Sequence, residues 1–150
     1  MIRKIFFLVL AVALTNCGYE PIHSKKNSSN IVIEKYKLIG DKTVNRNIVS
    51  SLSLKNNNKE KSNYELIVDS KKQLQIVSKD KTGNTSVYRT IIVVKISLNR
   101  NNKIIKQKEF SSSFTYKNIK NKFDLSQYQK NIETNIINEI TEEIFIFLNS

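Results

Sequence analysis

One cysteine, one histidine, one proline, three glycines and no tryptophan are all that 150 residues supply of these types, and each scarcity closes off a chemistry. A lone thiol leaves no partner for an intramolecular disulfide and no Cys-based metal site. A lone imidazole, His23, lies in a polar tether segment and reads as a solvated residue, which leaves no histidine for a nucleophile–base couple within the domain or for a His-rich metal centre. Gly18, Gly40 and Gly83 are too few and too scattered to build a phosphate-cradling loop. The adjacent acids Glu142 and Glu143 fall near the end of a C-terminal helical pattern, where the helix dipole disfavours negative charge. Glu142 lies off the apolar stripe and Glu143 at its edge, which is how solvated rim carboxylates read. The composition therefore points to a binding or assembly protein, with no catalytic residue, no metal and no cofactor expected.

Arginine is scarce as well, at four residues, although the net charge is +12. Lysine (21), isoleucine (21) and asparagine (19) dominate instead. All three have A/T-rich codons, so the positive charge reflects lysine use across a solvated surface. Arginine is the preferred fork for phosphates and base edges. Its rarity argues against a nucleic-acid partner and leaves attraction to anionic surfaces such as lipid phosphates.

What is present starts at the N-terminus. Arg3 and Lys4 precede a ten-residue apolar block at 5–14 (IFFLVLAVAL), about half the length of a membrane span. A charged start, a short apolar core and a processing site form a secretory signal. Leu14-Thr15-Asn16-Cys17 resembles the lipobox of bacterial lipoproteins, with Asn16 where a small residue is usual. Residues 1–16 thus read as a lipoprotein signal peptide and Cys17 as the lipidation site. Gly18, rather than an aspartate, follows the cysteine, which directs the protein to the outer membrane on its periplasmic side. Residues 17–30, polar and aperiodic, form a tether. A single domain occupies 31–150.

Within that domain, 31–39 (IVIEKYKLI) is β-branched and aromatic, a first strand. Gly40 ends it. Asp41 caps a helix through about Leu54 whose Val44, Ile48 and Leu52 share a face. Asn56-Asn57-Asn58-Lys59 closes that unit. Three strands follow. Tyr64, Leu66, Val68, Leu74 and Ile76 share one parity in the first, as do Tyr88, Ile92, Val94, Ile96 and Leu98 in the second. Phe110, Phe114 and Tyr116 share a face in the third. Lys79 to Thr85, with Gly83, is a turn that wants positive φ, and Arg100-Asn101-Asn102 is a tight one. Asp124-x-x-Gln127 has capping-box spacing. It opens a helix of about two dozen residues on which Leu125, Tyr128, Ile132, Ile136, Ile140, Ile144 and Phe147 recur at three and four. The order β-α-β-β-β-α is an α+β fold: a four-stranded, mostly antiparallel sheet packed on one face by two helices.

These residues carry a resemblance. Cys17-Gly18-Tyr19-x-Pro21 resembles the mature start of the LPS-assembly lipoprotein LptE family. Tyr64-Glu65-Leu66-x-Val68, Val87-Tyr88-Arg89 and Phe110-Ser111-Ser112-Ser113-Phe114 are similar to that family in order and spacing, as is the polar link 118–123. The last helix departs from it, carrying isoleucine and asparagine where alanine and arginine would be expected. The resemblance implies a plug inside the LptD outer-membrane barrel that helps the barrel fold and contacts lipopolysaccharide during export. The alternative is a structural or inhibitor-type envelope lipoprotein. On the first reading, the cations of the second and third strands, Lys71, Lys72, Lys79, Lys81 and Arg89, are expected to gather at one end of the sheet. There they would bind lipopolysaccharide phosphates.

Overall fold

The computed structural model describes residues 32–52 and 63–150. The expected signal peptide, Cys17, the expected tether and the asparagine link at 56–59 lie outside the described residues. The rest forms β1 (Lys35–Gly40), α1 (Lys42–Leu52), β2 (Tyr64–Lys79), β3 (Thr85–Arg100), β4 (Lys103–Lys117) and α2 (Lys122–Asn149). The sheet order is β1-β2-β3-β4. β1 runs parallel to β2, and the other two pairings are antiparallel. This is the expected α+β layout.

Each expected turn forms for a local reason. Gly40 adopts φ 86°, a left-handed conformation that costs a side-chain-bearing residue about 1–2 kcal/mol. The chain leaves β1 there and enters α1, where the Asp41 carboxylate accepts from the amides of Thr43 and Val44 at 2.9 and 3.0 Å. Asn101 and Asn102 both have positive φ, 51° and 62°, the two-residue turn whose twist suits an antiparallel hairpin. The cap of α2 differs from the expected one. The helix begins at Lys122 and is capped by Asn121, whose side chain accepts from the amides of Phe123 and Asp124. Asp124 sits in the first turn instead. Asn121 wins because its short amide reaches the free N–H groups three residues earlier than the capping-box spacing suggested.

The core lies between one sheet face and the helices. Leu66, Val68, Ile92, Val94, Ile96, Leu98, Phe110 and Tyr116 meet Val44, Ile48 and Leu52 of α1 and Ile132, Ile136, Ile137, Ile140, Ile144 and Leu148 of α2. At 28 residues α2 spans about 42 Å, nearly the sheet's full length. Both its halves are tied to β4: Tyr128 packs edge-on to Tyr116 and Phe147 to Phe110. Lys106 donates to the carbonyls of Phe147 and Leu148, a cation placed at the negative end of the helix dipole.

The cover is incomplete. α1 starts beside Ser70, where the Asp41 amide donates to the Ser70 carbonyl, and it packs on β1 and β2. Beyond Ser70 every residue of β2 is exposed. Leu74 and Ile76 have the core-facing parity but are 54% and 56% exposed, and Phe114 is 48% exposed. Alternation places a side chain on a face; only an overlying element buries it.

Candidate functional site

The turn joining β2 and β3 is built by one carboxylate. Asp80 accepts from the Thr82 and Asn84 amides and from the Thr82 hydroxyl, all within 2.7–2.9 Å. The Thr82 hydroxyl is the largest of the influences holding the Asp80 pKa below its ordinary value. Hydrogen bonds to the ionised form stabilise it. Asp80 thus favours the ordered turn above the ordinary carboxylate pKa, and that contribution disappears as acidification protonates the folded form. Gly83, at φ 86°, completes the turn. Lys79 and Lys81 flank it and are exposed.

The five cations named from the sequence are not all brought together. Lys79 and Lys81 occupy the tip. Arg89 lies opposite Gln75 on one side and Thr115 on the other, and its Nε donates to the Thr115 hydroxyl at 3.0 Å. Lys71 and Lys72 pair with Val93 and Ile92, seven or eight residues up β2 from Lys79, which at 3.3 Å per residue is roughly 25 Å. Lys72 also has the core-facing parity. It bridges to Glu133 of α2 at 2.9 Å and reaches Asp41 at 3.9 Å. Those contacts tie β2 to the start of α1 and to the interior of α2, so Lys72 is an intramolecular clamp rather than a free cation. Lys71 points to the opposite face.

The register supplies a cation that sequence reading missed. Lys117 pairs with Val87, and Thr115 pairs with Arg89, so Lys117 and Arg89 are diagonal neighbours on the face away from the helices. Both are exposed. Lys117 ends β4, and only the strand pairing reveals that three strands finish at the same end. Around these cations the helix-free face carries Gln73, Gln75, Ser111, Ser113 and Thr115, with Ile91 and Val93 half-buried between them. Strand alternation with a wet outer face produces this hydroxyl and amide layer.

The described residues contain no group of three or more His, Cys, Asp or Glu able to hold a metal. None of their helices is long and apolar enough to cross a membrane.

No protein-family model matches the chain, and no curated protein matches it. Solved structures do. The chain is similar to rare lipoprotein B from Shewanella oneidensis, with TM-score 0.56 and 14% identity over 73% of this chain and 89% of that one. It is similar to a minor lipoprotein from Acinetobacter baumannii, with TM-score 0.56 and 12% identity over 79% and 92%. An uncharacterised lipoprotein B from Nitrosomonas europaea gives TM-score 0.56 and 10% identity over 85% and 91%. The β-α-β-β-β-α domain therefore has the fold of these bacterial lipoproteins.

Proposed function

We propose that this chain is an outer-membrane lipoprotein, lipid-anchored through Cys17 on the periplasmic side. It seats as a plug in an LptD-type barrel, assists that barrel's assembly and contacts lipopolysaccharide during export. Its role is binding and assembly rather than catalysis. The observation that carries the reading is the helix-free sheet face, rich in Ser, Thr, Gln and Lys. A plug must present hydrogen-bonding surface to a barrel lumen that is itself polar. The shared fold with bacterial lipoproteins and the lipobox at Leu14 to Cys17 support the same assignment.

Co-purification in native detergent extracts tests it. A stable one-to-one complex with the barrel is expected, since standard interfaces bury about 1,600 Å². A lipoprotein recovered free of any barrel would favour the structural or inhibitor-type alternative.

The lipopolysaccharide contact is assigned to the hairpin end: Arg89 first, then Lys79, Lys81 and Lys117, with Lys71 further along the same face. A planar guanidinium grips phosphate bidentately, as an ammonium cannot. Binding of purified lipopolysaccharide by the detergent-solubilised protein should weaken in Arg89→Ala and in Lys79→Ala/Lys81→Ala, with a flatter salt dependence. Exposed charge interactions are screened over about 10 Å at 0.1 M. Lys72→Ala, whose ammonium is held by Glu133, is the control expected to bind as wild type does. Unchanged binding in the Arg89 and Lys79/Lys81 variants would place the contact elsewhere.

A further inference from the structure

Among the described residues the sheet has three open backbone edges: the outer side of β1, which carries Lys35 and Lys37, β2 beyond Ser70, where β1 ends, and β4 along its whole length. Exposed edges invite pairing with another chain, and proteins blunt them with lysines, prolines or bulges. The open part of β2 is blunted by Lys71, Lys72 and Lys79 and by register shifts between Ile76 and Lys79. The first half of β4 is blunted by Lys103, Lys106 and Lys108 and by the shift at Leu98/Asn99. Residues 110–116, Phe-Ser-Ser-Ser-Phe-Thr-Tyr, carry no charge, no proline, no glycine and no shift. One stretch of the perimeter is left bare.

We propose that in the barrel-free protein, before it seats as a one-to-one plug, this stretch pairs with its own copy, antiparallel about a two-fold axis through Ser113, making one eight-stranded sheet. Paired residues must lie on the same face, which restricts the axis to a residue position along the strand. An axis at Ser113 sets Glu109 against Lys117 of the second copy, and the reciprocal pair forms by symmetry. It also opposes Phe110 to Tyr116, an aromatic pair that favours antiparallel strands. An axis at Ser112 would face Glu109 with Thr115, and one at Phe114 would face it with Ile119. Both lose the two charge pairs.

The helix layer fits the same axis. α2 rests on β3 and β4, and neighbouring strands lie about 4.8 Å apart. Two copies of α2 would then run side by side at about 10 Å, an ordinary packing distance. Between β4 and α2 lies a cleft of about 240 Å³, lined among others by Ser112, Phe114, Asn131, Asn135 and Glu139. Asn131, Asn135 and Glu139 recur every four residues along that flank. An axis passing Asn135 sets Asn131 beside Glu139 of the second copy. The +12 charge on each copy opposes this association, so it should strengthen as moderate salt screens the overall repulsion.

Cysteine cross-linking tests the register. In full-length Cys17→Ser protein, which lacks any other cysteine, Ser113→Cys should oxidise rapidly to a covalent dimer. Cross-strand Cα separations of about 4.5–5.5 Å suit a disulfide. Gln75→Cys, exposed on the same face but on β2, should not. Glu109→Lys should weaken dimerisation about tenfold in sedimentation, and Glu109→Lys/Lys117→Glu should restore it. The proposal is overturned if the Ser113→Cys variant couples no faster than the Gln75→Cys variant, which would mean chance encounter in shared micelles. A wild-type protein that sediments as a monomer at all salt concentrations would overturn it too, as would a charge swap that fails to rescue.

Discussion

Gly40→Ala should lower the stability of the fold severely, while Gly83→Ala should be tolerated. Both glycines have φ 86°, so both substitutions pay the left-handed penalty of about 1–2 kcal/mol. Their surroundings separate them. A Cβ on Gly40 would drive into the carbonyl oxygen of Ser70, whereas one on Gly83 would meet nothing within 4 Å. The Ser70 carbonyl cannot retreat, because it accepts from the Asp41 amide at 3.0 Å and lies in the β1–β2 ladder. The Ser70 hydroxyl in turn donates to the Asp41 carbonyl. Relief of the clash would break the end of the parallel pairing and the cap of α1 together. A loss of about 4 kcal/mol or more is expected for Gly40→Ala, a large share of a typical domain's roughly 5–15 kcal/mol. Urea unfolding midpoints of the two variants decide it. Equal shifts would mean that the collision with Ser70 contributes nothing beyond the backbone conformation.

The second large effect concerns location. Cys17→Ser should abolish lipid attachment, because the acylated thiol is the expected membrane anchor. Each buried methylene contributes about 0.8 kcal/mol to membrane binding, and loss of all acyl chains removes that attachment outright. Intact mass of the membrane-extracted wild type should show a chain beginning at Cys17 with acyl mass added. The variant should lack that mass and either leave the membrane fraction or remain unprocessed. Its urea midpoint should match wild type, because the core formed by the described residues starts at Ile33, sixteen residues after the substituted position. A wild-type species retaining residues 1–16 would refute the lipobox assignment.

Much of the fold was legible from local pattern. Parity marked the faces of β3, where Ile92, Val94, Ile96 and Leu98 are all buried, and the helical stripe marked Val44, Ile48 and Leu52. The Asp41 cap and the Gly83 and Asn101-Asn102 turns were legible because each depends on one or two residues. What was not legible depends on pairing across the chain. The parallel partner of β1 is set by the crossover through α1, which no period encodes. Leu74 and Ile76 repeat correctly for the core face yet remain uncovered, since helix placement rather than alternation decides burial. At the candidate site the same limit appears. Lys72 and Arg89 read alike in sequence, but one is clamped by Glu133 and the other shares a face with Lys117. Only the strand register and α2's position along the sheet separate them.

The bare outer half of β2 has a consequence for how the protein breathes. Backbone opening costs most where a helix must be lifted to expose an amide, and least where a strand can peel from one neighbour into water. From Tyr64 to Ser70, β2 is paired on both sides and lies beneath α1, so its amides should exchange with solvent only when the whole domain unfolds. From Lys71 to Lys79 the same strand holds one neighbour and buries no side chain. Its amides should exchange through local separation from β3, at a free-energy cost far below that of global unfolding. A single strand thus contains a rigid root and a loose blade, with the Lys72–Glu133 clamp at the boundary. The loose blade carries the lysine-flanked tip.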